Sequence, residues 1–540
     1  MFASKSAVGI TTITKQVSAN MVLGRLAVVP DLAALIPPGG LRDRLKLYMA
    51  TSPGRLVRMF ITLAILAIAV GLVQVFVISH IRSAITVIGI STRPSIVAAE
   101  QASAALATMD AEATNDALLG GLSASGTGTT FQTATAEISR LLIAASRNIT
   151  YEKEEVSAID DLQKNLFLYY GTLGEARYMV ATNPWAALQR LKWASRINQG
   201  FITPAANALG NANSQPMEAA YTSYNKSYLG FGILGIGAGF LLIAALVKFQ
   251  IVIARQTNRI LNGPMALATV IAVLSQILFM YAIIAEHSAI RTAKLDAFDS
   301  VASLYRTKVA ALRANADESM WLLDKDTRVD TEKSFQTLAA SVFPTGKLAG
   351  PKLKSFLMSM DSAIVLEGNG KAKEALASMP PMGGFLGKAA DNMTFGIAER
   401  KPLTDATVAF IRYIKIDGLI RRLETSGYHT EALALNVGVK PGAVDWSVGW
   451  DDVSFDKALQ SHDMVSINRI LHITGDSDWA FSLFETALDK TILVNETVFD
   501  EQINKAMRLV TIMTPLELAS ILGVTLLAAV GLWRRYQEYA

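Results

Sequence analysis

Residues 59–79 read MFITLAILAIAVGLVQVFVIS, without one charged side chain. The hydrocarbon core of a bilayer is about 30 Å thick and takes roughly 20 apolar residues as a helix. This run meets that requirement, so the rest of the chain is read as a membrane protein. Three further runs follow. The second is Ser227 to Val247, closed by Lys248, and the third lies between Arg259 and Glu286. The fourth, Leu518 to Trp533, is weaker, with Pro515 and Glu517 before it and Arg534 and Arg535 after it. It is short enough to need tilt or local thinning of the bilayer. The composition agrees: 51% of residues are hydrophobic and 18% charged, against about 25% charged in an ordinary soluble globule.

Lys and Arg near the span ends set the orientation. The N-terminal tail carries Lys5, Lys15, Arg25, Arg42, Arg44, Lys46 and Arg55 against Asp31 and Asp43. The connector between spans two and three carries Lys248, Arg255 and Arg259 with no acid, and the C-terminal tail opens with Arg534 and Arg535. These three segments are predicted to lie in the cytoplasm of a bacterium, with the protein multi-pass in the plasma membrane. The predicted layout is a cytoplasmic tail 1–56, spans 57–80, 227–248, 263–285 and 516–533, a connector 249–262 and a tail 534–540. The long segments 81–226 and 286–515 then lie outside. The first span starts too late for a cleaved signal peptide and is expected to be retained. Leu41, Leu45, Tyr48 and Met49 share a face near Arg42 and Lys46 and read as an interfacial amphipathic helix.

Both outer segments read as α-helical. Leu162, Leu166, Tyr169 and Leu173 repeat at helical spacing, Pro184–Trp185 marks a break, and Leu188, Leu191 and Ile197 resume the pattern. Residues 120–130, rich in Gly, Ser and Thr, read as a loop. About four helices fit between the first two spans. In the second segment Val301, Leu304, Tyr305, Val309 and Leu312 share a face. A second run, Phe481, Phe484, Leu488, Ile492, Asn495 and Phe499, steps by three or four through Ile503 and Val510 towards span four. The fold class is therefore all-α: four transmembrane helices with two extracytoplasmic helical bundles.

The two halves look like a parallel duplication, each span, outer domain, span. Met109-Asp-Ala-Glu-Ala-Thr-Asn-Asp-Ala-Leu-Leu119 follows the first span by about as many residues as Leu312-Arg-Ala-Asn-Ala-Asp-Glu-Ser-Met-Trp-Leu-Leu323 follows the third. The second domain is longer, with its surplus in 343–402 and 436–455. There Met379-Pro-Pro-Met-Gly-Gly-Phe385, Trp446 and Trp450 suit either a partner surface or a plug for the bundle ends.

Charge and chemistry exclude several classes. A net charge of +4 gives no field for nucleic acid. With no cysteine there is no disulfide, thiolate metal site or iron–sulfur cluster. The five histidines have no ligand spacing, and no phosphate loop, nucleophile elbow or dinucleotide fingerprint is found. No catalytic residue, metal or cofactor is predicted, and the predicted cytoplasmic parts are too small for a catalytic domain. The expectation is a protein that is not an enzyme and sends any inward signal through a separate partner.

Candidate ligand- or partner-binding residues are Asp110, Glu112, Asn115 and Asp116, with Asn315, Asp317 and Glu318 in the corresponding place of the second half. A solvated face is the plain alternative. Inside the spans, Gly235 and Gly239 form a GxxxG motif that lets helices approach closely. Gln74 and Gln276 are set to hydrogen-bond between helices. No acid or base lies deep in the spans, which argues against an ion-coupled transporter.

Pro94-Ser-Ile-Val-Ala-Ala-Glu-Gln101, Met109-Asp-Ala-Glu-Ala-Thr-Asn115, Asn148-Ile-Thr-Tyr151, Asp296-Ala-Phe-Asp-Ser300 and Ala314-Asn-Ala-Asp-Glu-Ser319 resemble segments of bacterial four-span membrane proteins with tandem extracytoplasmic helical-bundle sensor modules. Within that group the chain is similar to the actinobacterial partner of a periplasmic glutamine-binding lipoprotein and a cytoplasmic serine/threonine kinase. The resemblance covers the spans, much of the first outer domain and both ends of the second. It implies signal coupling between an extracytoplasmic solute-binding protein and a cytoplasmic kinase or other signalling protein. The expected surroundings are membrane lipids, and a homo-oligomer is compatible with all of this. The rival readings are a non-catalytic scaffold of an envelope complex and a transporter subunit.

Overall fold

The computed structural model describes Met49 and residues 51–118, 128–149, 152–180, 182–257, 262–344, 351–392, 396–437 and 452–538. The amphipathic run 41–48, most of the predicted loop 120–130, and Trp446 and Trp450 lie outside the described residues. Gly128 to Thr130, predicted as loop, instead begin a helix.

Among the described residues the chain is all-α, with no strand. Helix α1 (Ser52–Ile85) passes through a π-helical turn (Thr86–Ser91) into α2 (Arg93–Leu118). Then come α3 (Gly128–Arg147), α4 (Glu152–Met179) and α5 (Pro184–Ile197), which passes through a second π turn (Asn198–Ile202) into α6 (Thr203–Thr257). Helix α7 (Gly263–Arg291), a third π turn (Thr292–Phe298) and α8 (Asp299–Leu323) repeat the opening pattern. They are followed by α9 (Arg328–Val342), α10 (Pro351–Gly368), α11 (Ala372–Ser378), α12 (Gly384–Asp391) and α13 (Ile397–Thr425). The chain ends with α14 (His429–Val437), α15 (Asp452–Gln460), α16 (Met464–Thr474) and α17 (Ser477–Tyr536). The helix–π–helix order thus occurs after span one and again after span three.

Local chemistry accounts for the boundaries. Pro184 opens α5 at the position where a missing N–H costs nothing, and the Asn183 side chain accepts from Ala186 N at 3.1 Å. In the first π turn the Thr92 N–H and hydroxyl both reach Val87 O, at 3.1 and 2.7 Å, which holds the wider turn. Asp476 accepts from Trp479 N at 2.6 Å and starts α17, a helix of 60 residues that continues through Pro515. Its unbroken course confirms the helical stepping read from Phe481 to Val510.

Four helical stretches among the described residues are long and apolar enough to cross a membrane. Helix α1 alone has 34 residues, or about 51 Å at roughly 1.5 Å per residue, enough to span the core with length to spare. This is a multi-pass membrane protein.

The structure divides into two compact units. The apolar unit comprises the described residues of Met1–Gln74, Gly235–Leu278 and Leu516–Ala540. Its core takes Leu63, Ala67 and Val70 from α1, Leu242 and Leu246 from α6, Ala268 and Ala272 from α7, and Val524 and Ala528 from α17. Outward-facing Ile61, Ile65, Ile68 and Leu72 are exposed, as lipid contact requires. Gly235 and Gly239 are buried, and Gly239 faces the Gln276 side chain so closely that an added methyl group would overlap it. Gln74 Nε2 donates to Gln276 Oε1 at 3.3 Å, joining α1 to α7. Glu517, at the edge of span four in sequence, is buried in this unit, where Ser275 Oγ donates to its Oε2 at 2.7 Å.

The larger unit holds Val75–Leu234 and Phe279–Pro515. It contains two hydrophobic cores. One is built by α2 to α6 around Leu106, Met109, Ile138, Leu162, Tyr169 and Leu173. Four helical legs (α2, α3, α4, and α5 continuing into α6) form this bundle, as the chain length between spans suggested. The other core is built by α8, α9, α12, α13 and α17 around Leu304, Phe410, Tyr413, Ile416, Phe484 and Leu488. Met379, Met382 and Phe385 pack against that second core. This favours the plug over the exposed surface for these three residues.

Candidate functional site

Helices α2 and α8 lie side by side within the larger unit, and their contacts keep a constant offset. Gln101 Nε2 donates to Tyr305 Oη at 3.0 Å, and one end of the Asn115 amide takes a hydrogen bond from Ser319 Oγ. Both pairs are 204 residues apart. A constant difference means that the two helices run parallel and in register, the same way out of their respective spans. Asn115 Nδ2 also reaches Asn315 Oδ1, one turn back on α8, at 3.4 Å.

The residues predicted as a site on these helices are buried rather than a solvated face. Asp110 is 2% exposed, Asp116 3%, Asn315 4% and Glu318 1%, while Glu112 and Asp317 are half-buried. They fall in three places. The first is the Asn115–Asn315–Ser319 contact, where Asn115 Nδ2 also reaches Asp478 Oδ1 on α17 at 3.4 Å. On α2, Glu112 lies one turn before Asn115 and Asp116 directly follows it. The second is Asp110, whose Oδ2 accepts from Ser195 Oγ at 2.7 Å. Arg313 lies within electrostatic reach of both Asp110 and Asp317 and donates to Thr203 Oγ1 at 2.7 Å. The third is Glu318, which points away towards α13 and α17. Ser477 Oγ meets both of its carboxylate oxygens, at 2.9 and 3.0 Å, and Asp417 lies nearby.

Burial raises every one of these carboxyls. Asp110 is pushed up to about 6 against the hydrogen bond from Ser195 and the pull of Arg313. Asp317 goes to about 6, with burial the leading cause. Asp116 goes to about 7 through burial and the like charge of Glu112. Asp478 also goes to about 7, through burial and then Asp476 and Glu112. Glu318 and Asp417 are both raised by burial, and Asp417 adds repulsion at Glu318. The seam between α2, α8 and α17 is thus acid-rich and partly protonated near neutral pH.

A carboxyl whose folded value lies above its ordinary one stabilises the fold below the ordinary value. That contribution is lost as pH rises through the folded value. Stability of the full chain is therefore expected to increase as pH falls from about 8 to about 5, the window set by values of about 6 to 7. Asp324 works the other way. Burial pushes it up, but hydrogen bonds from Lys192 and Thr327 outweigh that and hold it low, so its contribution disappears only in stronger acid. Thermal unfolding in nanodiscs across this range tests the sign. A midpoint that falls steadily from pH 8 to pH 5 would contradict it.

Ser195, Arg313, Ser319, Ser477, Asp478 and Asp417 complete these three places, with Arg421 on α13 within electrostatic reach of Asp317 and Glu318, and none of them was predicted as a site residue. Asp476-Ser477-Asp478 ahead of a helical run is a helix-start signature that could have drawn attention to α17. The others carry no local signal. Among the described residues no group of three or more His, Asp or Glu side chains is placed to hold a metal ion.

Residues 84–222 match the family model of an actinobacterial sensor domain. The matched stretch starts at the end of α1 and ends within α6, so it contains Asp110, Glu112, Asn115 and Asp116 but none of their partners on α8 and α17. No curated protein and no solved structure matches the chain. The match supports a sensor-type membrane protein of actinobacterial kind.

Proposed function

We propose that this protein is a non-catalytic transmembrane signal-coupling protein. Its larger unit lies outside the plasma membrane and responds to a solute or a solute-binding protein. Its termini and the 249–262 connector face the cytoplasm and pass the response to a separate signalling protein such as a kinase. The two halves are a parallel duplication, to which the in-register pairing of α2 with α8 and the repeated helix–π–helix order lend support.

The observation that carries the reading is helical continuity. Helix α6 supplies Leu209 to the first bundle's core and Leu246 to the core of the apolar unit. Helix α17 likewise supplies Phe484 to one core and Val524 to the other. Each is a single unbroken helix, of 55 and 60 residues. The seam provides an element that can change. Parallel helices held by amide, hydroxyl and half-protonated carboxyl contacts exchange partners at less cost than an interlocked apolar core. The π turns beside the spans are of a kind often found at functional positions in helices. A ligand shifts such an equilibrium only by its difference in affinity for the two arrangements.

The test is deletion of the gene in its host, followed by phosphoproteomics and radiolabelled solute uptake across a nutrient shift. Loss of the phosphorylation response with uptake intact is the expected result. Unchanged phosphorylation together with lost uptake would replace this reading with a transporter subunit. Unchanged phosphorylation and uptake, with an envelope complex that falls apart, would replace it with a scaffold.

A further inference from the structure

The larger unit contains a cavity of about 660 Å³, within the size range of small-molecule sites. It lies between α2 and α6 of the first half and the third π turn, α8 and α12 of the second. None of the residues singled out from composition or spacing lines it. Two of the segments that carry the family resemblance do: Pro94–Gln101 supplies Ile96, Ala99 and Glu100, and Asp296–Ser300 supplies Phe298 and Asp299.

The lining joins an apolar floor, including Ala99, Ala206, Met217 and Phe298, to charges of both signs. Lys294 is already committed. Its ammonium meets Glu218 Oε2 at 2.8 Å and Asp299 Oδ1 at 2.7 Å, and this bridge ties α6 to the π turn and α8. Glu100 and Arg306 are different. They attract one another electrostatically, yet neither makes a hydrogen bond or close ion pair among the described residues. Lys388 and Asp391 on α12 place a second cation and a second anion on the same lining. A half-buried carboxylate and a guanidinium that face one cavity without closing on each other leave room for a molecule carrying both opposite charges.

We propose that this cavity binds a small zwitterionic solute, of amino-acid to dipeptide size. Its ammonium lies at Glu100 and its carboxylate at Arg306, with Lys388 assisting. Arg presents a planar fork of donors that suits a carboxylate. The apolar floor takes the aliphatic part. This names the ligand class for the sensor reading and rests on it only for its consequence. Because the π turn forms one wall, an occupant would favour one packing of α8 against α6.

The full chain in nanodiscs should be titrated calorimetrically with the standard α-amino acids and dialanine. N-acetylated and C-amidated forms of whichever probe binds best serve as charge controls. Binding is expected to weaken at least tenfold on blocking either charge, and likewise in Glu100→Gln and Arg306→Gln. Neither side chain makes a hydrogen bond among the described residues, and Lys388→Gln, on an exposed side chain, serves as a third variant. If no probe binds at millimolar concentration, or if the best probe binds all three variants as tightly as the parent, the proposal falls. Binding with these properties in a protein whose deletion leaves phosphorylation untouched would keep the site and remove the sensor reading. Lost phosphorylation without binding would do the reverse.

Discussion

Gly384→Ala is expected to destabilise the protein by roughly 3 kcal/mol, among the larger effects of a single methyl group. Gly384 has φ +69° and opens α12, where the Gly383–Gly384 turn passes over the end of α9. A β-carbon there would lie 2.5 Å from Val342 O and 2.7 Å from Ser341 O. Those atoms are backbone and cannot swing aside as a side chain could. The penalty therefore has two parts, a left-handed conformation costing about 1–2 kcal/mol and a steric overlap that displaces α9 or α12. Gly370 separates them. Its φ is +78°, and an added β-carbon there meets nothing within 4 Å. Gly370→Ala should show only the conformational part, about 1 kcal/mol. Denaturation of both variants alongside the parent makes the comparison. Equal losses in the two would mean that α12 is not pinned against α9. Because α12 carries Lys388 and Asp391, Gly384→Ala should also weaken binding of any zwitterion to the cavity.

Arg421→Met is expected to cost about 3–5 kcal/mol at neutral pH, the usual range for removing one partner of a buried charge pair. The Arg421 guanidinium holds Asp417 through Nε at 2.9 Å to each oxygen and also meets Glu332 on α9. It lies over the rings of Trp321 and Phe335, 4.8 and 4.6 Å from their centres. Methionine replaces the apolar stem but leaves Asp417 and Glu318 buried without that cation. Both carboxyls are already raised by burial, and losing the guanidinium raises them further. Acid then relieves the defect by neutralising them. The gap in thermal midpoint between variant and parent should be wide at pH 7.5 and narrower at pH 5. Adding Asp417→Asn to the variant should recover part of the loss at pH 7.5. A gap that does not depend on pH would show that Arg421 acts by packing on the two rings rather than through its charge.

The Glu318–Ser477 contact shows how the seam depends on distant parts of the chain. In sequence, Asp110, Glu112, Asp116, Asp317 and Glu318 are acids on amphipathic helices, and acids in water are the ordinary expectation. They are buried because α5 brings Ser195 to Asp110, α13 brings Asp417 and Arg421 towards Glu318, and the start of α17 brings Ser477 and Asp478. None of those partners is within a helical turn of the residue it meets. The cavity was hidden for the same reason. Glu100 and Arg306 are unremarkable residues in their own helices and become a pair only when α2 and α8 lie side by side.

Hydrophobic run length settled the spans without any tertiary knowledge, because crossing lipid demands an apolar helix whatever its neighbours are. The three-and-four stepping of apolar residues in α4, α8 and α17 likewise follows from the helix repeat, a local property. The matched offset of the two Ala-rich acidic segments already suggested that α2 and α8 occupy like places in the two halves. That these two helices contact each other in register, that the acids between them lose water, and that a two-signed cavity opens beside the third π turn were decided by tertiary packing. Burial and charge pairing are sums over neighbours that the chain brings together from a hundred or more residues away, and no local pattern contains that sum.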